Sequence, residues 1–522
     1  MKKTLVSMLL VLAFVLGMCG VTAVAEGDYP DKVTILCGLS EHLSAIGITY
    51  EDTTYWRDLT AATGTEVEFV YVPSGVETLQ QVNLMVADGT LPDIIVGINW
   101  NTVTGGATQW YDEGVIIDLT DLIPECMPNY WETITNMPLW EQSLKIDGRM
   151  YYITDIQHGV VYRGPVIRQD WLDKAGLESP KTVDDLYEVL TYFKENDMNG
   201  NGDPNDEWPM SGLTSIGWTP LQLMWAWGIT DDFMLYDGKV THGIMTEEFT
   251  DAITYLNKLY SEGLLDPDYA TQDRAALDGK YMNDMVGFEI GMQPTKMNNN
   301  KNKEAVKGGF EANGTYNFTL TGDTTPYIFD DVYISLFNGS MAAISGKCED
   351  PEAVLRMIDW IYSDEGQVSF YWGVEHESYE VDENGNKYID YTGGIEKYPN
   401  IDPGAVCYVY SISGTSAFPG HMSSSRFKET MHKFAAEAAD KWSSDFDYSR
   451  HMAFVTLSAE QQAELEEIIT DVNTYIDTSI EKLINGQIPL DEIPNIQAKL
   501  IDMGIEKLID AYQEAYDLTY GG

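Results

Sequence analysis

Between positions 32 and 97 the chain switches repeatedly between two hydrophobic periods. Lys32-Val33-Thr34-Ile35-Leu36-Cys37 and Val67-Glu68-Phe69-Val70-Tyr71-Val72 are short β-rich runs. Pro92-Asp93-Ile94-Ile95-Val96-Gly97 is a third, apolar throughout its centre as a strand covered on both faces should be. Between them, Thr53 to Thr63 sets Tyr55, Trp56 and Leu59 on one helical face and stops at Gly64. Glu77 to Asp88 does the same with Leu79, Val82, Met85 and Val86 and stops at Gly89. Strand, helix, strand, helix, strand predicts a parallel α/β sheet. Ligands of such sheets sit beyond the carboxyl ends of the strands, which puts Asn99 and Trp100 at the mouth of a cleft.

A second region of strong patterning runs from Val166 to Pro209. Thr182 and Asp185 have capping-box spacing, and Val183, Leu186, Val189, Leu190 and Phe193 then form one buried helical face. The following loop is almost wholly oxygen-bearing side chains and glycine. Asp197, Asn199 and Asn201 alternate and Gly202 follows, as at the start of an EF-hand calcium loop, where alternate oxygens converge on a hard cation and glycine permits the sharp turn. Asp203 offers a backbone carbonyl, and Asp206 and Glu207 are the closing carboxylates. Position twelve is Trp208 rather than Glu, and Pro209 precludes a standard second helix. The competing reading is a solvated Asn/Gly turn without metal. Further on, Leu221 to Gly228 reads as helical, Thr246 to Glu262 aligns Phe249, Ile253, Leu256 and Leu259, and Met285 to Glu289 reads as a strand. Helices are expected at 424–442, from Ser458, and from Asn495 to Tyr516.

Composition narrows the function. At 522 residues the chain exceeds one ordinary core, so two or more lobes are expected. The formal net charge of −52 argues against nucleic acid and anionic lipid and suits a soluble, exported monomer. Lys2 and Lys3, the apolar run from Leu5 to Leu16 and Ala23-Val24-Ala25 have the form of a signal peptide over 1–25. Cys19 offers a second possibility, a lipid anchor. Cys37, Cys126, Cys348 and Cys407 are widely spaced, which fits buried thiols or one disulfide and disfavours zinc. The seven histidines form no H-x-x-x-H pair, and no nucleophile elbow, P-loop or G-x-G-x-x-G occurs. An enzyme is therefore not expected.

The segments Ile167 to Gly176, Pro180 to Lys194 and Asp197 to Pro209 resemble the extracellular solute-binding proteins of bacterial ABC importers, family 1, in the branch of the LplA/LipO-like lipoproteins and the alginate-binding proteins. Gly148 to Asp155, Gly263 to Pro267, Asp350 to Gly366, Phe370 to Glu375 and the final helix resemble that family in matching order. His376 stands where the family has a glycine. The resemblance implies a two-lobed periplasmic-binding-protein-like α/β fold (type 2) with a multi-segment hinge and extra C-terminal helices. Lobe one is expected to comprise 28–153 plus 330–372, and lobe two 156–328 plus 376–522, with a first hinge at Ile153 to Gln157. It also implies ligand capture by hinge closure and docking on an ABC permease, with calcium structural.

The 13 Trp and 32 Tyr beside many acids suit a neutral oligosaccharide, whose C–H faces stack on rings while its hydroxyls bond carboxylates and amides. Most such rings are core in any protein. By their place near strand ends and hinges, the expected contacts are Trp100, Trp225, Trp227 and Trp372, with Asn99, Asp155, Arg163 and Glu289 as polar partners. The two tryptophans at 225 and 227 point in different directions on a helix, so at most one faces a ligand. Alternatives left open are a carbohydrate-active enzyme, a calcium-dependent adhesin, and a binding protein for a peptide or a uronate oligomer.

Overall fold

The computed structural model describes residues 29–73, 76–98, 106–136, 140–146, 148–157, 161, 163–214, 219–292, 312–329, 341–412, 418–429, 433–453, 455 and 457–520. Asn99 and Trp100 lie outside the described residues, as do the signal segment and Cys19.

The elements that position the site run as follows. β1 (Lys32–Gly38), α1 (Thr54–Thr63), β2 (Glu66–Val72), α2 (Thr78–Asp88) and β3 (Ile94–Val96) open the chain. β4 (Ile156–Gln157) leads to β5 (Arg163–Arg168), α3 (Val183–Glu195), β6 (Trp208–Met210), α4 (Glu248–Ser261), β7 (Val286–Met292) and β8 (Ala312–Gly314). β9 (Ala342–Ile344) and α5 (Pro351–Tyr362) follow, then β10 (His421–Met422), α6 (Ser424–Glu429) and α7 (Lys433–Trp442). The chain ends in α8 (Ala459–Ile484), α9 (Ile493–Met503) and α10 (Ile505–Tyr520).

Two four-stranded sheets anchor two cores. The first has the order β9-β3-β1-β2, with β1 parallel to both β2 and β3 and β9 antiparallel on β3. Its buried residues include Val33, Ile35, Ile94 and Ile95, joined by Tyr55, Trp56 and Leu59 of α1. On α2 only Val82 is fully buried, while Val86 is exposed, so that helix covers the sheet more loosely than its spacing predicts. The second sheet has the order β8-β5-β7-β6. α3 buries Val183, Leu186, Val189, Leu190 and Phe193 against it, behind a capping box in which the Thr182 hydroxyl accepts from the Asp185 N–H. The C-terminal helices add Val472, Ile476, Leu500 and Leu508 to this second core.

At the element level one sequence expectation needs correction, the single helix over Asn495–Tyr516, and two others are refined. The stretch from Pro220 to Trp227 is a 3-10 helix, opened by the Thr219 cap and closed by Gly228 at φ +71°. The helix expected over Asn495–Tyr516 is two helices, because Gly504 adopts φ +102° and ends α9. The stretch expected to be helical over 424–442 is helical in its described parts, α6 and α7. Within the segment 376–410, which the sequence expectation places in lobe two, Val406, Val409 and Tyr410 pack with Ile46 and Ile48. Among the described residues Cys37, Cys126, Cys348 and Cys407 are free thiols.

Candidate functional site

The chain leaves the first core after Ile156 and enters the second sheet's cluster at Val161. It is back in the first core at Met341 and leaves again between Met422 and Ala435. Two of these crossings lie side by side, because β4 pairs in parallel with β10 through Ile156 and His421. This two-residue parallel ladder ties the two crossings together with few hydrogen bonds.

Asp155 sits at this junction. Its Oδ1 accepts from the Tyr371 hydroxyl at 3.1 Å and from the Gly420 N–H at 3.1 Å. The neighbouring Ile156 N–H donates to the Gly420 carbonyl at 2.7 Å. One carboxylate thus holds the first crossing, the third crossing and the π-helical turn at Val368–Trp372. The Tyr371 hydroxyl is held well above the usual phenol range, by burial first and then by the Asp155 carboxylate. It stays a hydrogen-bond donor at any ordinary pH.

Trp372, at the end of the same turn, is 6% exposed. Its ring lies 5.6 Å from the Arg426 guanidinium carbon and 5.9 Å from the Tyr379 ring. The Arg426 Nε donates to the Tyr371 carbonyl at 2.5 Å. Asp155, Trp372, Tyr371 and Arg426 therefore form one cluster at the junction. Sequence reasoning singled out the first two and missed the others. Arg426 follows three serines at the head of a short helix, and no local pattern marks it.

The remaining expected contacts lie elsewhere. Trp225 is 7% exposed and packs with Phe329 at 6.0 Å, inside a cluster with Val161, Val166 and Trp442. Trp227 is half-buried against Tyr255 at 5.4 Å, beside the second core. Glu289 is fully buried in β7, cross-strand from Val166, so it meets no surface in this structure. Arg163 starts β5 opposite Met292 and is half-buried.

The loop after α3 is tightly self-bonded. The Asp197 carboxylate accepts from the N–H groups of Gly200, Asn201 and Gly202 at 2.7, 3.1 and 2.8 Å. Gly200 and Gly202 take φ +75° and +96°, which other residues rarely adopt. The Asn199 and Asn201 amides donate to the two Asp206 oxygens at 3.3 and 2.6 Å. The Asp203 N–H donates to the Asn201 side chain at 2.8 Å. Glu207 is 7% exposed. Its Oε1 accepts from the Asn199 N–H at 2.6 Å, while its Oε2 is buried without a partner. Burial, then the Asp206 and Asp197 carboxylates, push the Glu207 carboxyl above its ordinary range. A buried carboxylate oxygen without a hydrogen bond, raised in pKa by two further carboxylates, is short of a positive charge and fits a hard cation. Among the described residues no three His, Cys, Asp or Glu side chains are gathered to hold a metal, so a cation here would need the asparagine and backbone oxygens as well.

Comparison with known proteins agrees with this architecture. The Streptococcus pneumoniae fructooligosaccharide ABC transporter substrate-binding protein FusA is 32% identical over 225 residues, 40% of this chain and 41% of that one. Lipoprotein LipO of Bacillus subtilis is 26% identical over 340 residues, 61% of this chain and 62% of its own. The polygalacturonan/rhamnogalacturonan-binding protein YtcQ of Bacillus subtilis is 27% identical over 237 residues, 45% and 46% of the two chains. The chain thus spans less than two thirds of the length of each of these relatives. Among solved structures, an extracellular solute-binding protein from Bifidobacterium longum subsp. infantis superposes with TM-score 0.72 at 20% identity, covering 95% of this chain and 99% of that one. The alginate-binding protein AlgQ2 without calcium ion gives 0.64 at 21% identity, covering 94% and 98%. A FusA EF-hand mutant bound to fructo-nystose gives 0.65 at 20%, covering 93% and 99%. These likenesses establish the two-lobed type 2 binding-protein fold. The model of the bacterial extracellular solute-binding proteins matches residues 49–368, and this chain belongs to that family.

Proposed function

We propose that the chain is the extracellular capture component of an ABC importer, and that it closes two lobes around an oligosaccharide without turning it over. The observation that carries this reading is the crossing of the chain between two separate cores beside a paired β4–β10 hinge, with aromatic and charged side chains gathered at that junction. The names of FusA and YtcQ, both sugar binders, support the ligand class. Lobe one is taken as 29–157 with 341–422, and lobe two as 161–329 with 433–520. Ligand contacts made by both lobes exist only when the lobes close, so ligand shifts the population to the closed form, which then docks on the permease. Asp155 and Trp372 are the expected site residues best placed for this. The chain acts as an exported monomer, released after Ala25 or anchored through Cys19.

Calcium is the second part of the reading. Asp197, Asn199, Asn201, Asp203, Asp206 and Glu207 would hold it, and the cation would supply only the positive charge that Glu207 lacks. The solved AlgQ2 without calcium ion and the solved FusA EF-hand mutant support the reading. The test is a thermal-shift screen of the mature protein against oligosaccharides and peptides, with and without chelator. An upward shift with one sugar class and no hydrolysis is expected. Shifts only with peptides, or release of sugar products, would remove the oligosaccharide-capture assignment.

A further inference from the structure

The first core carries an open cavity of about 550 Å³ that none of Asp155, Tyr371, Trp372 and Arg426 lines. One wall is the second half of α1, where Ala61 and Ala62 leave room beside the half-buried Asp58. The other wall runs from the half-buried Trp360 near the end of α5, past the exposed Glu365, to the Val368–Trp372 turn. The Ser369 hydroxyl donates to Asp58 Oδ2 at 2.8 Å, which fixes that carboxylate in the wall. The Trp360 ring meets Phe370 edge-on at 6.3 Å. Among the described residues no cation pairs with Asp58 or Glu365. Arg57, their neighbour on α1, is turned to the Asp52 and Thr53 carbonyls at 2.8 and 3.0 Å. Acids are common on this surface, so the aromatic wall and the room left by the alanines are what set this place apart.

The balance of donors and acceptors decides what fits. Two carboxylates only accept, and the Ser369 proton is already given to Asp58. The polar side chains around the cavity, the Trp360 indole apart, therefore offer acceptors alone. A sugar or an amide brings acceptors of its own, and these find no side-chain donor here beyond the indole. Ammonium and guanidinium groups carry donors alone, and a charge that an indole face attracts. We propose that this cavity is a second binding site, one that takes the guanidinium or primary ammonium group of a basic ligand. Asp58 and Glu365 are its charge partners and Trp360 is its aromatic wall. The site goes beyond sugar capture and does not depend on it. A formal charge of −52 draws any cation toward the protein, and the cavity gives one kind of cation an aromatic face beside two carboxylates. An arginine or lysine side chain of a docking protein and a free organic amine share this chemistry.

The test uses the full mature chain carrying fluorotryptophan, titrated at constant ionic strength with agmatine, with the peptide acetyl-Gly-Arg-Gly-amide, and with potassium chloride as control. Calorimetry reads affinity, and the fluorine resonance of Trp360, assigned by its loss in Trp360→Phe, reads the place. At least one probe should bind and move that resonance, and potassium should not. Asp58→Asn keeps an acceptor for the Ser369 hydroxyl, and Glu365→Gln alters no hydrogen bond of the folded protein. Each should weaken binding about fivefold, and Glu365→Gln carries the test if the Asp58 variant does not fold. Glu460→Gln removes the same charge from the start of α8, in the second lobe, and should change nothing. Tighter binding of the peptide than of agmatine would support the site as one for a partner protein's side chain, and equal or weaker binding as one for a free amine. No binding, or binding that leaves Trp360 unmoved, would overturn the proposal. Equal weakening by Glu460→Gln would overturn it too, by reducing the effect to the general attraction of an acidic surface. A neutral sugar that moves the Trp360 resonance where neither probe does would give the cavity to the sugar instead.

Discussion

His242 shows how burial alone sets a side chain's chemistry. It is 3% exposed, accepts the Ile244 N–H on Nδ1 and meets the Phe233 ring edge-on at 5.1 Å. Burial lowers its pKa from 6.5 to about 4. The folded state therefore favours the neutral ring, and its contribution is whole above pH 6.5 and is lost as pH falls to about 4. The loss amounts to about 3 kcal/mol at 1.36 kcal/mol per unit. Buried carboxyls whose pKa is raised, such as Asp284 and Asp359, act in the opposite direction, so the whole-protein profile conceals the effect. His242→Asn keeps an acceptor for the Ile244 N–H and removes the titration. Its denaturant-measured stability should fall less than the parent's between pH 6.5 and 4, and parallel profiles would show the ring to be uninvolved. Glu207 answers to the same reasoning with the opposite partner. Replacement by Gln should abolish any melting shift caused by calcium, and it should raise the stability of chelated protein by about 1 kcal/mol, because an unmet buried charge is gone. A larger shift on chelation in the variant would move the cation elsewhere. The sequence marked Asp197, Asn199 and Asn201 because alternation of oxygens is a local property. It could not mark Tyr371, whose bond to Asp155 joins groups far apart in sequence.

At the scale of elements, local signals fared best where propensity and burial agreed. α3 is read directly from Thr182, Asp185 and its five apolar positions, all of which are buried. β1 and β3 are as expected, since continuous apolar runs leave a strand between two covering layers no other arrangement. The split of α9 from α10 turned on one glycine, and helical spacing on both sides concealed the break. The packing of α7 on β5 and β8 was not legible at all. The Trp442 Nε1 donates to the Thr315 carbonyl at 2.8 Å, and Gly164 and Gly314 lie flat against the helix. A Cβ on Gly314 would come 2.2 Å from the Ala438 Cβ, and one on Gly164 would come 2.6 Å from the Trp442 ring. Neither glycine has a left-handed backbone, so sterics alone excludes a side chain. Gly314→Ala should cost about 1–3 kcal/mol as overpacking, read as a lowered melting temperature. An unchanged melting temperature would mean that α7 moves off the sheet freely.

At the scale of the molecule, a chain with formal charge −52 keeps two cores joined by few crossings, and the crossings are fixed to one another more firmly than their length suggests. Strand order and the family pattern announced two lobes, and the expectation they carry is a first hinge near Ile153 to Gln157. The placement of 376–410 beside Ile46 and Ile48 was not announced, because nothing local distinguishes a covering segment of one lobe from the other. Asp155 is the point where these levels meet. It binds the Tyr371 hydroxyl and the Gly420 N–H, so it couples the first-core turn to two crossings at once. Tyr371→Phe deletes one of those bonds and leaves no buried donor behind. The crossings are then held less firmly, so the free protein should sample wider lobe angles. Ligand then binds a closed form that is less populated, and apparent affinity falls in proportion. A bond to a charged acceptor is worth about 1.5–3 kcal/mol, which sets the expected loss at roughly tenfold to a hundredfold. Hydrogen exchange should quicken at Ile156 and Gly420 and stay unchanged in β1, β3 and α3. Weaker ligand binding without faster exchange at the junction would make Tyr371 a ligand contact. Faster exchange without weaker binding would uncouple this latch from closure.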